Sequence, residues 1–291
     1  MTSPLGAAAA LGSSCTWAYA STRYAVAARE VSPVRVNLFR MIYALPFFVA
    51  GGLWTGTLGR GLTLRHLGLL LVSTLCSYAF ADNVFFAAAR RIGVSSALAI
   101  ASSYPLWAAL KGTLIDHQPF GPARAVGTAL CVGGVVAIIR LREPPLGDAA
   151  PRDRRGVPLA IATSVLWAGN SISIKAGAAG LSLPTVNAVR YAMAIAILGA
   201  LVVAGRAAGA RGPVGGWRSL APAMVLDSLL GSVLFIYGLR ETDLAVGATL
   251  SSLAPLVSLP IAVWLRVERL SPAKVVAVAV TVGGIALLAS S

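Results

Sequence analysis

Two carboxylates lie in apolar surroundings where a carboxylate is costly. Asp82 sits inside GLLLVSTLCSYAFADNVFFAAA, residues 68–89, with Asn83 beside it, and Asp227 sits inside MVLDSLLG. In a soluble protein an Asp-Asn pair reads as a turn; in a membrane helix such groups mark proton relays, ion paths or substrate contacts. Arg40 and Arg190 pose the same question with opposite sign. A guanidinium there can grip a carboxylate or phosphate bidentately, or snorkel to the interface and pair with helix-end carbonyls, which is the more ordinary fate. Trp17 and Trp167 fall near the middle of apolar runs, where an indole can stack on a solute or its cationic group, or simply pack. Asn170, one turn from Trp167, and Tyr104 can hydrogen-bond a substrate or tie helices together. No metal-ligand spacing, P-loop, dinucleotide fingerprint or zinc helix occurs. Neither a metal, nor a cofactor, nor an enzyme is indicated.

The solvent that surrounds these groups follows from composition. The 291 residues are 57% hydrophobic and 12% charged, a balance that a soluble surface of this size cannot carry. Runs long enough to cross the ~30 Å hydrocarbon layer as helices recur at 5–27, 34–56, 67–89, 94–115, 122–140, 157–178, 183–205, 219–239, 244–265 and 272–289. This predicts an all-α, multi-pass integral membrane protein with ten transmembrane helices. The first run has no basic residue before it, unlike a signal peptide, and reads as a span. A net charge of +14 would suggest nucleic acid in a soluble chain. Here the basic residues fall mostly between spans, where they set orientation and touch membrane lipids, and no nucleic-acid partner is implied. Cys15, Cys76 and Cys131 lie within spans and suggest no disulfide; His66 and His117 read as loop residues.

Internal repetition organises the chain. Adding 150 to a residue number takes Trp17 to Trp167, Ser21 to Ser171, Asn37 to Asn187, Arg40 to Arg190, Phe85 to Phe235, Arg90 to Arg240, Pro105 to Pro255 and Pro122 to Pro272, and it takes VGG at 132–134 to VGG at 282–284. The units are 1–140 and 157–291, with 141–156 a polar linker. Because five is odd, the second unit enters the membrane upside down, giving inverted five-helix repeats around a central cavity, the architecture of secondary transporters. Pro105 and Pro255 interrupt spans rich in small residues and are candidate hinges for gating. Glycines at 52 and 56 and the Gly-Gly pairs pack within one chain or could support a homodimer; a monomer is the simpler expectation.

The mid-span tryptophan, NLFR and NAVR in the second span of each unit, SSYPL and SLAPL in the fourth, and Gly-Gly in the fifth resemble EamA-type ten-helix members of the drug/metabolite transporter superfamily. The resemblance covers nearly the whole chain. It implies transport of a small-molecule substrate, with both termini cytoplasmic, although connections after odd-numbered spans carry most of the Arg and Lys, which by the positive-inside rule puts the termini outside. Orientation stays open between these. Where the family commonly has Glu after the fourth span, this chain has Gln118 in one half and Glu268 in the other.

Asp82 falls just past the middle of span three and Asp227 just before the middle of span eight, and because those spans run oppositely both acids stand at a similar depth. They are not repeat mates: Asp82 corresponds to Ser232 and Asp227 to Ser77. Two like charges at one depth favour sharing a proton, so either acid can serve proton coupling, substrate contact or helix packing. The expected activity is export of amino acids, related metabolites or drug-like compounds across a bacterial cytoplasmic membrane by alternating access. The rivals are exchange of anionic metabolites at the two arginines and a non-transporting scaffold or flippase accessory.

Overall fold

The structure, a computed structural model, describes residues 3–28, 30–114, 121–141, 153–205, 216–264 and 271–289. His117, Gln118, Glu268 and most of the 141–156 linker lie outside the described residues. The helices, numbered along the chain, are α1 (Pro4–Ala27), α2 (Pro33–Trp54), α3 (Leu64–Ile92), α4 in two segments (Val94–Ala101 and Tyr104–Leu114) and α5 (Pro122–Arg140). After the linker come α6 (Gly156–Gly177), α7 (Leu183–Val203), α8 (Trp217–Glu241), α9 in two segments (Leu244–Ser251 and Ala254–Trp264) and α10 (Pro272–Ala289). Helices α2, α3, α6, α7 and α8 are each long and apolar enough to cross a membrane.

Local signals set the ends. Proline occupies the first turn of α1, α2, α5 and α7, where its missing N–H costs nothing. The Ser182 hydroxyl accepts from Thr185 N (3.2 Å) at the start of α7. At α3 the Thr63 hydroxyl accepts from His66 N and the His66 ring accepts from Thr63 N, a capping box. The half-buried His66 therefore has a structural task.

The packing repeats under inversion. Helix α1 lies against α8 and α9, as α6 lies against α3 and α4; α2 packs on its counterpart α7 and α5 on its counterpart α10. Glycine sets the last crossing. A Cβ on Gly134 would come within 2.6 Å of Thr281 N on α10, and one on Gly284 within 2.4 Å of Cys131 N on α5. Their neighbours Gly133 and Gly283 have nothing within 4 Å. The Gly-Gly pairs thus serve contact within the chain. Gly52 faces Leu58 of the following loop and Gly56 takes a positive φ of 60° in that turn, so their spacing is not a helix-docking face.

Helices α4 and α9 break at matching positions, Ser102–Ser103 and Ser252–Leu253, just before Pro105 and Pro255. Proline lacks the N–H that would bond four residues back, so the ladder closes through tighter bonds, Ser103 N to Ile100 O (3.2 Å) and Leu253 N to Leu250 O (3.4 Å).

Substituting Gly134 or Gly284 by Leu should overpack the α5/α10 crossing, at about 1–3 kcal/mol. The unfolding midpoint in detergent, read by intrinsic fluorescence, should fall for both, while Gly133→Leu and Gly283→Leu stay near the parent.

Candidate functional site

The core of the bundle is polar where α2, α3, α7 and α8 meet, and the reason begins in the backbone. Helix α3 widens over Leu75–Ala79, with Phe80 N donating five residues back to Leu75 O (3.1 Å), and α8 widens over Val225–Gly231, which contains the repeat counterpart of that turn. Such turns leave carbonyls without their usual partners and recur at functional sites. Asn83 braces the first, its Nδ2 donating to Tyr78 O (3.1 Å) and Ala79 O (2.7 Å). In α8 the Ser228 carbonyl accepts from Tyr191 Oη (2.6 Å) and Ser232 Oγ (2.9 Å).

Each widened turn receives an arginine from the other repeat. Arg40 of α2, 2% exposed, donates from Nη1 to Asp82 Oδ2 (3.0 Å) and Asn37 Oδ1 (3.0 Å), from Nη2 to Asp227 Oδ2 (2.6 Å), and from Nε to Ser228 Oγ (3.3 Å). Its guanidinium also lies 4.7 Å from the Tyr24 ring centroid. Arg190 of α7, likewise 2% exposed, donates from Nη1 to Tyr78 Oη (3.2 Å) and from Nη2 to Ser77 Oγ and Asn170 Oδ1 (3.0 Å each). The two contacts are related by the repeat: Arg40 meets residues 227 and 228, and Arg190 meets 77 and 78. The side chains at those positions differ, as do Asp82 and its counterpart Ser232, so one arginine has two carboxylates and the other, among the described residues, has only neutral partners and the Tyr78 ring at 4.6 Å.

These positions correct two expectations. Neither arginine snorkels, because neighbouring side chains supply acceptors inside the bundle and the guanidinium need not reach the interface. The acids do come close together, but not as a repelling pair, since Arg40 bridges them. Two opposite charges beside one cation offset part of the desolvation cost that each would bear alone.

Above the ion cluster the two mid-span tryptophans meet edge to face, centroids 5.8 Å apart and planes at 80°. Trp167 also donates from Nε1 to Asp82 Oδ1 (3.3 Å) and lies 5.5 Å from Phe85 and 6.3 Å from Tyr104. Of the other tryptophans, Trp54 and Trp264 are exposed at helix ends, whereas Trp217 stacks on Phe39 at 4.2 Å rather than standing free at an interface. The Tyr104 hydroxyl donates to Ala248 O of α9 (2.8 Å), and Asn170 Oδ1 accepts from Ser73 Oγ (2.7 Å) as well as Arg190. Both residues join helices and line the cavity.

That cavity is about 120 Å³ and is walled by Trp17, Trp167, Tyr104, Asn170, Asp82 and Asp227, with Arg40 and Arg190 at its polar side. A cavity of roughly 150 Å³ holds a benzene-sized molecule, so this one is of the size that a small organic molecule fills. Asn83 does not line it, and Pro105 and Pro255 stand at the helix breaks beside it. Ser77, Tyr78, Asn37 and Ser228, which the polarity pattern alone does not single out, complete the site. The signal that could find them is the repeat: Ser77 and Ser228 are the counterparts of Asp227 and Tyr78, and Asn37 repeats as Asn187.

The chain matches the EamA-like transporter family twice, over residues 4–140 and 154–290. A protein of Archaeoglobus fulgidus described as an uncharacterized transporter is 29% identical over 99 residues, which is 34% of this chain and 35% of that relative. The match thus spans about a third of the relative's length. A crystal structure of another protein aligns over 96% of this chain and 95% of its own with a TM-score of 0.67 at 20% identity, which shows a shared fold.

Removing Arg40 should be costly, since breaking one side of a buried pair costs about 3–5 kcal/mol. Arg40→Gln should therefore lower the unfolding midpoint sharply. Adding Asp227→Asn to it should recover part of the loss, and a double-mutant cycle with the two single variants reads the coupling.

Proposed function

The chain belongs to the EamA-like transporter family, and from that membership we propose that it carries a small organic solute across a bacterial cytoplasmic membrane by alternating access, loading it in the cavity between the repeats. One observation carries the reading. Arg40 and Asp82 come from the first repeat and Asp227 from the second, and their ion pairs join the two across the cavity. Rocking of one repeat against the other must break or loosen that junction, so whatever changes its charge changes the balance between states.

A proton is the simplest such agent. Protonating Asp227 removes the ion pair that ties Arg40 to the second repeat, and protonating Asp82, which lies in Arg40's own repeat, changes the charge that Arg40 presents to Asp227; either couples proton movement to the conformational cycle. The breaks before Pro105 and Pro255 are the hinges in this reading, because the helical ladder is already interrupted there. The direction we assign is export, on the resemblance drawn from the sequence, and amino acids, related metabolites and drug-like compounds within the cavity's size are the candidates. A single chain is the transporting unit, since both cavity walls come from one chain. The rival with two exchange sites for anions loses one of them, because every nitrogen of Arg40 is already engaged by neighbouring side chains.

In proteoliposomes an imposed pH gradient should drive solute accumulation by the parent protein. Asp227→Asn and Asp82→Asn should abolish the driven component while leaving solute counterflow measurable. Unchanged driven transport in both variants would exclude the acids from coupling, and counterflow of no candidate solute by folded protein would favour a scaffold.

A further inference from the structure

The two halves of the site are alike in geometry and unlike in charge. Arg40 is over-matched, with two carboxylates on one guanidinium. Arg190, equally buried, has no ion-pair partner among the described residues. Its Nε has no hydrogen-bond partner, nor have Nδ2 and Oδ1 of Asn187 one turn earlier, all buried. At the corresponding place in the first repeat, Asn37 bonds both Arg40 and Asn83, and Arg40 Nε bonds Ser228. The second half therefore lacks an acceptor group that the first half has, and of Arg190 and Asn187 it is Arg190 that lines the cavity.

We propose that the Arg190 side of the cavity is a subsite for the carboxylate of a small organic solute, which supplies the counter-charge that Asp227 supplies to Arg40. This rests on the reading of the cavity as the solute's binding place. The chemistry fits a carboxylate. Arg190 Nη1 spends one of its two N–H groups on Tyr78 and keeps the other for a carboxylate oxygen, a charge-assisted bond, and Tyr78, whose hydroxyl accepts from Arg190, keeps an O–H to donate. The indoles of Trp17 and Trp167 suit an apolar body behind that head group, and the cavity volume suits a small one. The Arg40 cluster, one negative charge in excess with both acids ionised, does not attract a carboxylate, so it sets which end of the cavity the head group takes. A free monocarboxylate and an amino acid share this head group.

Equilibrium binding to the purified protein, followed by tryptophan fluorescence and by thermal shift, tests the subsite without requiring transport. The probes are 4-methylpentanoate, leucine and isopentylamine, which share one branched body and differ in charge. The two carboxylates should bind and raise the unfolding midpoint, and the amine should do neither. Leucine binding more tightly than 4-methylpentanoate assigns an amino acid; the reverse assigns a monocarboxylate. Arg190→Gln should weaken carboxylate binding by at least about tenfold, a loss of roughly 1.4 kcal/mol, and Arg190→Lys by less. Ser77→Asp places a carboxylate at the counterpart of Asp227, next to Arg190. It should raise the midpoint of the ligand-free protein and abolish carboxylate binding, a result that does not depend on a destabilised variant. Binding of neither carboxylate, binding of the amine as tightly as the acids, or unchanged affinity in both Arg190→Gln and Ser77→Asp would overturn the proposal. Counterflow measured separately keeps the two readings apart. Carboxylates that bind but are never carried sink transport and leave the subsite standing, whereas amine transport insensitive to Arg190→Gln does the opposite.

Discussion

A guanidinium in the centre of an apolar bundle must find its solvent among side chains, and the centre of this structure is arranged around that requirement twice. Arg40 and Arg190 are both 2% exposed. Each reaches across the repeat boundary to a widened turn of the opposite half, where the disturbed backbone brings side chains toward it. The cost of a buried charge left alone is several kcal/mol, so the crossing of α2 with α7, the widened turns in α3 and α8, and the bracing of those turns by Asn83 and Tyr191 all hang together. Loosening any of them exposes an ion to a medium that cannot solvate it.

Inversion makes the two arginine sites geometric copies, and mutation of the copies makes them different. Some residues that both halves keep serve the architecture: Gly134 and Gly284 permit the α5/α10 crossing, and Pro105 and Pro255 follow breaks at matching places in α4 and α9. Where the halves differ, at 77 against 227 and at 82 against 232, the site takes on polarity. One end of the cavity carries an excess of carboxylate and the other an arginine without one. A symmetric cavity would present the same charge from both ends, whereas this one does not.

Much of this was legible residue by residue, and the failures share one cause. Helix positions followed from apolar runs because a bilayer imposes a length, and the run read as 122–140 is the helix Pro122–Arg140. A similar depth for Asp82 and Asp227 was the expectation from counting residues along oppositely directed spans. That they share Arg40 did not follow, and the arginines looked like snorkelling groups, because neither apolar periodicity nor span position encodes which way a helix is rotated.

The chain by itself determined a membrane-embedded, ten-helix architecture in two inverted copies, because hydrocarbon thickness, an odd number of crossings and a constant offset of 150 residues are one-dimensional facts. It also marked the few polar residues that an apolar bundle has to account for. Only the tertiary structure decided which of them meet. Whether a carboxylate faces an arginine, another carboxylate or a neutral hydroxyl depends on angles between helices and on two turns that depart from the regular helical spacing. Those departures shift every side chain beyond them, and nothing in the periodicity of α3 or α8 announces them.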